Sequence, residues 1–141
     1  MRFYIDTSVL VPYYCPEPLS EKVEKFLMVH LHPSISGLTE VELCSAVSRK
    51  VREGGMSRKD ASRIMARFIA HVDKSFYDYL TVQQYHYRLA RDWIGLFKTG
   101  LKMLDALHLA IASAEGLSIV TTDEGLSKSA KALGADFILL E

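Results

Sequence analysis

The stretch Phe3-Tyr4-Ile5-Asp6-Thr7-Ser8 changes abruptly from apolar to small polar side chains. Aromatic and β-branched residues favour a strand, whereas Asp, Thr and Ser favour turns and helix caps. We therefore predict a buried first strand over Phe3–Ile5 that stops at Asp6. The segment Ser118-Ile119-Val120-Thr121 predicts another such strand, and Asp123 lies just past its end.

Helices and strands alternate along the rest of the chain. Hydrophobic residues recur at helical spacing in six segments that start at polar capping residues or end at glycines. The predicted helices run from Ser20 to about His30, from a cap at Thr39 to Gly54, from Ser57 past Val72, from Val82 to near Gly100, from Asp105 to Gly116, and up to Gly134. Short strands are predicted at 34–36, 77–82 and 137–139. Prolines at positions 12, 16 and 18 predict no regular helix before Ser20.

This alternation predicts a three-layer α/β/α fold with a central, mainly parallel sheet covered on both faces. A chain of 141 residues with 49% hydrophobic and 24% charged residues fits one globular domain over residues 1–141. Seventeen basic and seventeen acidic residues make the chain formally neutral, so any site for a polyanion must be local.

The two cysteines, Cys15 and Cys44, lack the spacing of a zinc site or a disulfide framework. We expect them to be free thiols of a cytoplasmic protein. The chain has no signal-like amino terminus and no apolar run that approaches about 18 residues, so we expect neither secretion nor a membrane span.

Three aspartates are predicted at one edge of the sheet. The carboxyl ends of parallel strands share an edge, and Asp6 and Asp123 each follow such an end. Asp105 begins a helix that can face the same edge. Each alone has a purely structural interpretation, because aspartate is common in turns and at helix N-termini. Local sequence does not choose between Glu40 and Glu42 as a fourth acid.

Clustered carboxylates repel one another and need a compensating cation. Mg²⁺ prefers oxygen ligands, and Mn²⁺ accepts similar sites. In phosphodiester hydrolysis such ions activate water and neutralise charge on the leaving oxygen. The acidic edge is therefore typical of metal-dependent phosphoryl chemistry.

Four segments together resemble the PIN-domain ribonucleases, and among them the VapC-type toxins of type II toxin–antitoxin pairs. The resemblance spans nearly the whole chain and depends on Tyr4-Ile5-Asp6-Thr7-Ser8, Ser36-Gly37-Leu38-Thr39-Glu40-Val41-Glu42-Leu43, Leu104-Asp105-Ala106-Leu107-His108-Leu109-Ala110 and Val120-Thr121-Thr122-Asp123.

The resemblance implies an acidic metal site and selects Glu42 over Glu40. Its members would be the catalytic and metal-binding residues Asp6, Glu42, Asp105 and Asp123. It further implies that Ser8 lies near the metal or phosphate and that Thr121 orients a carboxylate. Leu104 stands where many members of the family have Asn. His108, in an apolar helix, is interpreted as a packed residue and not as part of the site.

The function that the resemblance implies is a Mg²⁺- or Mn²⁺-dependent endoribonuclease toxin, forming a homodimer and inhibited by a protein antitoxin. Basic residues at 49–67 are candidates for contacting RNA, and Tyr13, Tyr14, Phe26 and Leu27 for a partner surface. One alternative is another Mg²⁺-dependent phosphoryl hydrolase with Asp6 as nucleophile, although such enzymes have D-x-D where this chain has Ser8. The other is a non-catalytic PIN-like binding module.

Overall fold

The computed structural model describes residues 2–141, in which strands and helices alternate as predicted. Five strands are formed by Phe3–Ile5 (β1), Ser34–Ser36 (β2), Asp78–Leu80 (β3), Ser118–Thr121 (β4) and Phe137–Leu139 (β5). Seven helices are formed by Thr7–Tyr14 (α1), Ser20–Val29 (α2), Gly37–Arg52 (α3), Arg58–Asp73 (α4), Gln84–Ile94 (α5), Met103–Ala114 (α6) and Glu124–Ala132 (α7).

The strands form one sheet in the order β3-β2-β1-β4-β5, and every pairing is parallel. Successive β1 side chains enter opposite cores, because side chains alternate across a strand. Phe3 and Ile5 pack with residues of α1 to α4, whereas Tyr4 packs with residues of α5, α6 and α7. The predicted three-layer α/β/α fold is confirmed, with β1 at the centre of the sheet.

The prediction that proline excludes a helix before Ser20 was wrong for Pro12, which lies inside α1. Proline has no backbone N–H, so the Ser8 carbonyl one turn earlier loses its usual helical donor. The Thr122 hydroxyl donates to this carbonyl at 3.2 Å instead. A donor from a distant segment thus allows the helix to include Pro12.

Several predicted boundaries also shift. Helix α3 begins at Gly37 behind Ser36, and Thr39 does not cap it from outside. Its hydroxyl lies within the first turn and accepts from the Ser36 backbone N–H at 3.2 Å. The predicted strand over 77–82 is shorter, and α5 ends at Ile94 rather than near Gly100.

The cysteines are free thiols as predicted, with Cys15 buried and Cys44 exposed. Within residues 2–141, no helix is long and apolar enough to cross a membrane. Tyr14 was predicted for a partner surface but is buried in the core, where its hydroxyl lies 2.6 Å from that of Tyr77.

Part of the basic set forms internal contacts. Arg49 pairs with Glu53, Lys50 with Glu17, and Arg63 with Asp60. Arg67 lies over the rings of Tyr13 and Tyr14.

Candidate active site

The central strand pair places two aspartates on one edge of the sheet. Strands β1 and β4 are neighbours, and Ile5 pairs with Val120. The backbone N–H of Asp6 donates to the Val120 carbonyl at 3.2 Å, so the ladder continues to the point where β1 ends. Asp6 and Asp123 therefore follow adjacent strand ends at the carboxyl edge.

Asp6 is held at both carboxylate oxygens. The Ser8 hydroxyl and backbone N–H donate to Oδ1 at 2.5 and 3.0 Å, and the Thr121 hydroxyl donates to Oδ2 at 2.8 Å. Asp6 is 4% exposed, and burial raises its pKa above the ordinary range although both hydroxyls act to lower it. Burial thus outweighs the hydrogen bonds.

Asp123 caps helix α7. Its Oδ1 accepts the backbone N–H groups of Gly125 and Leu126 at 2.8 and 3.3 Å, which is the structural interpretation of an aspartate after a strand. The Thr121 hydroxyl also accepts the Asp123 backbone N–H at 3.0 Å. Thr121 therefore connects the ends of both strands, because the same hydroxyl donates to Asp6.

Asp105 lies in the first turn of α6, as predicted. Partial burial raises its pKa most, followed by the negative charge of Asp123; His108 opposes them, and the smaller effects of Glu42 and Lys102 act in opposite directions. Asp105 in turn raises the pKa of Asp6. Asp105 therefore interacts electrostatically with each of the other three acids.

Glu42 reaches this group from α3. Its Oε1 accepts a hydrogen bond from the Thr7 hydroxyl at 3.0 Å and is hydrogen-bonded to His108 Nε2. Burial alone would raise the pKa of Glu42, but His108 and Thr7 lower it below the ordinary value. Glu40 instead accepts a 3.4 Å bond from the Tyr79 hydroxyl.

His108 is the residue that sequence reasoning left out. It is packed, as interpreted, but its ring also contacts Glu42 and lies 2.7 Å from the Tyr4 hydroxyl through Nδ1. Its position one turn after Asp105, on the same helix, was the available signal.

The donor chemistry fits a hard divalent cation, because carboxylate oxygens predominate and three of the four acids form no ion pair within the described residues. Within residues 2–141, no Lys or Arg forms an ion pair with Asp6, Asp105 or Asp123. In the same residues, no three carboxylate, imidazole or thiol groups lie close enough together to hold a metal ion. The acids are thus gathered at one edge without forming a finished coordination shell.

Sequence comparisons identify the family of the chain. A family model described as PIN domain matches residues 3–132. Ribonuclease VapC46 of Mycobacterium tuberculosis is 33% identical over 135 residues, which are 93% of this chain and 92% of that protein. Ribonuclease VapC3 of Pyrobaculum aerophilum is 24% identical over 133 residues, which are 94% of this chain and 98% of that protein.

The fold has solved counterparts. VapBC2 from Rickettsia felis, in a crystal structure bound to a DNA fragment from its promoter, matches with a TM-score of 0.73. The match covers 100% of both chains at 16% sequence identity, so it concerns the fold. Together with the family match over residues 3–132, these relatives show that the chain belongs to the PIN domain family, among the VapC ribonucleases.

Proposed function

We propose that residues 1–141 form one nuclease domain that hydrolyses RNA phosphodiester bonds with the help of Mg²⁺ or Mn²⁺, as the toxin of a toxin–antitoxin pair. The observation that carries the proposal is the position of Asp6 and Asp123 after the ends of the adjacent strands β1 and β4, where the Thr121 hydroxyl donates to Asp6 and accepts the backbone N–H of Asp123. A folded protein that keeps neighbouring carboxylates without a basic partner is electrostatically suited to a bound cation.

The residues that would hold the ion are Asp6, Glu42, Asp105 and Asp123. When bound, a divalent cation supplies an activated water and neutralises negative charge on the scissile phosphate. The protein's own contribution is to bring the four acids to the same edge. Ser8 and Thr121 fix the orientation of Asp6 through hydrogen bonds to its two oxygens.

RNA as substrate is supported by relatives that are named ribonucleases. A protein antitoxin is supported by the VapBC2 complex and by a toxin–antitoxin complex from Klebsiella pneumoniae of the same fold. We also propose a homodimer. A cytoplasmic location is part of the proposal, since the exposed free thiol of Cys44 suits a reducing compartment.

The residue at position 8 disfavours the alternative in which Asp6 is the nucleophile of a phosphatase. Such enzymes have a second aspartate at this position, whereas this chain has Ser8, whose hydroxyl donates to Asp6 Oδ1. A non-catalytic binding module has no need of repelling, partly buried acids.

The deciding experiment incubates purified chain with total bacterial RNA in Mg²⁺, in Mn²⁺ and in EDTA. Asp105→Asn should lose cleavage by at least about 100-fold, the loss typical when one preorganised electrostatic group is removed. The matched control is Glu40→Gln, because this acid bonds to Tyr79 outside the group and its loss should leave cleavage intact. Cleavage that persists in EDTA, or equally in Asp105→Asn, contradicts the proposal.

A stability measurement excludes misfolding as the cause. The pKa of Asp105 is raised, so the folded state holds this proton more tightly than the unfolded state. Stability therefore decreases as pH rises from the unfolded pKa through the folded pKa. Metal-free Asp105→Asn should consequently unfold at an equal or higher temperature than the parent at pH 7. A clearly lower midpoint would mean that Asp105 stabilises the fold.

A further inference from the structure

His108 forms the centre of a buried hydrogen-bond network that ends at Glu42. Its side chain is 2% exposed, and both ring nitrogens have partners. Nδ1 lies 2.7 Å from the Tyr4 hydroxyl, which is also 2.9 Å from Ser36 Oγ and 3.2 Å from Thr39 Oγ1. The network therefore joins β1, the end of β2, α3 and α6 beneath the acidic edge.

The network determines which ring nitrogen of His108 carries a hydrogen toward Glu42. The Glu42 carboxylate only accepts hydrogen bonds, so His108 Nε2 carries the hydrogen between them. In the neutral ring Nδ1 is then an acceptor, and the Tyr4 hydroxyl donates to it. Burial raises the pKa of Tyr4 to about 12, which keeps that hydroxyl protonated at neutral pH.

The remaining partners are consistent with this direction. The Thr39 hydroxyl accepts from the Ser36 backbone N–H, so its own hydrogen is free to point at the Tyr4 oxygen. Among residues 2–141, no buried side-chain nitrogen or oxygen lacks a hydrogen-bond partner. A fully satisfied buried network of this kind holds its members in one arrangement.

The two oxygens of Glu42 are used differently. Oε1 is hydrogen-bonded to both the Thr7 hydroxyl and His108 Nε2. Oε2 makes no hydrogen bond within the described residues, and it is not a buried unsatisfied atom, so it reaches solvent. One oxygen is thus fixed by the protein while the other stays open to solvent.

We propose that His108 is a positioning residue, which fixes Glu42 through Oε1 so that Oε2 is presented to a divalent cation, with Tyr4 setting the direction of the imidazole. The proposal depends on the proposed metal-dependent function. It assigns His108 no contact with RNA or with the ion. Groups that orient metal ligands in this way commonly change metal affinity or activity by about 10- to 100-fold when they are replaced.

Two amide replacements separate positioning from packing. The Gln amide occupies the place of Nε2 and keeps a donor toward Glu42, whereas the shorter Asn amide occupies the place of Nδ1 and keeps only the Tyr4 contact. Mn²⁺ affinity is measured calorimetrically on the full chain without RNA. His108→Asn should bind Mn²⁺ about 10-fold or more weakly, and His108→Gln within about threefold of the parent.

The matched control is His86, a second fully buried histidine whose Nε2 lies 3.1 Å from Glu115 Oε1. His86→Asn should lower the thermal midpoint without changing Mn²⁺ affinity. Equal Mn²⁺ affinity of His108→Asn and His108→Gln overturns the positioning role. If His108→Asn does not fold, Tyr4→Phe decides, because unchanged affinity in that variant also overturns the proposal.

The two proposals fail in different ways. If the parent binds no Mn²⁺, or binds it equally well after Asp105→Asn, the metal-dependent function itself fails. If Asp105→Asn abolishes binding and His108→Asn does not weaken it, only the positioning role of His108 fails.

Discussion

A buried histidine is hydrogen-bonded to a glutamate near each end of helix α6, and a tyrosine contacts each of these pairs. Near the amino end, Glu42 Oε1 accepts a hydrogen bond from the Thr7 hydroxyl and is also hydrogen-bonded to His108, whose ring contacts Tyr4. At the carboxyl end, Glu115 Oε1 accepts a hydrogen bond from the Tyr85 hydroxyl at 2.7 Å and is hydrogen-bonded to His86 Nε2 at 3.1 Å. In both, a buried imidazole and a hydroxyl share one oxygen of a partly exposed glutamate.

The pKa of both glutamates is lowered, but their charged neighbours differ. Glu42 is close enough to Asp105 to raise the pKa of that acid, whereas the pKa of Glu115 is lowered by Tyr85, then by His86 and by the basic Arg2, against the effect of burial. Glu115 also follows directly after the last residue of α6, next to the amino end of β4. In parallel α/β sheets, functional groups gather at the carboxyl edge.

The comparison teaches that a hydrogen-bonded His–Glu pair does not by itself mark an active site. The Glu115 pair connects α5 to the end of α6, and its carboxylate has local partners sufficient for a structural role. The Glu42 pair has the same bonds but lies among repelling acids. The surrounding charge, rather than the pair, distinguishes the two sites.

The largest expected difference comes from removing the charge of each glutamate. Glu42→Gln should reduce metal-dependent RNA cleavage by about 100-fold or more, because it removes an electrostatic group from the acidic edge. Glu115→Gln should leave cleavage unchanged and only lower stability modestly. Initial rates on the same RNA with Mn²⁺ measure both. Equal losses in the two variants would remove the distinction between the sites.

A smaller difference is expected from removing each tyrosine hydroxyl. Tyr4→Phe removes one partner each from buried groups of Ser36, Thr39 and His108 and leaves His108 Nδ1 with none, so it should cost about 1–3 kcal/mol of unfolding free energy. Tyr85 is 50% exposed, so water can replace its hydroxyl, and Tyr85→Phe should cost clearly less unfolding free energy than Tyr4→Phe. Urea unfolding compares them, and a larger loss in Tyr85→Phe would contradict the expectation.

The smallest effect is expected at Thr7, the second donor to Glu42. Thr7→Val should weaken Mn²⁺ binding by about threefold, since one neutral hydrogen bond contributes modestly. Thr7→Ser keeps the hydroxyl and should restore the parent affinity. If Val and Ser behave alike, the Thr7 hydroxyl does not help to hold Glu42.

Local patterns were sufficient for most of the fold. Short apolar runs, capping residues and glycines predicted all five strands and six of the seven helices, since these signals act within a few residues. Helix α1 was missed because Pro12 predicts a break. The Ser8 carbonyl that Pro12 leaves without a helical donor is bonded by the hydroxyl of Thr122, a residue 114 positions from Ser8. No local signal records a donor that arrives from so far along the chain.

The acidic edge shows the same division. The sequence by itself determined that Asp6 and Asp123 follow strands and that Asp105 begins a helix, because each depends on its immediate neighbours. Only the tertiary structure decided that β1 and β4 are adjacent, that Glu40 bonds to Tyr79, and that His108 meets both Tyr4 and Glu42. The physical reason is that hydrogen bonds and charge repulsion depend on distances in space, which chain folding sets and residue spacing does not.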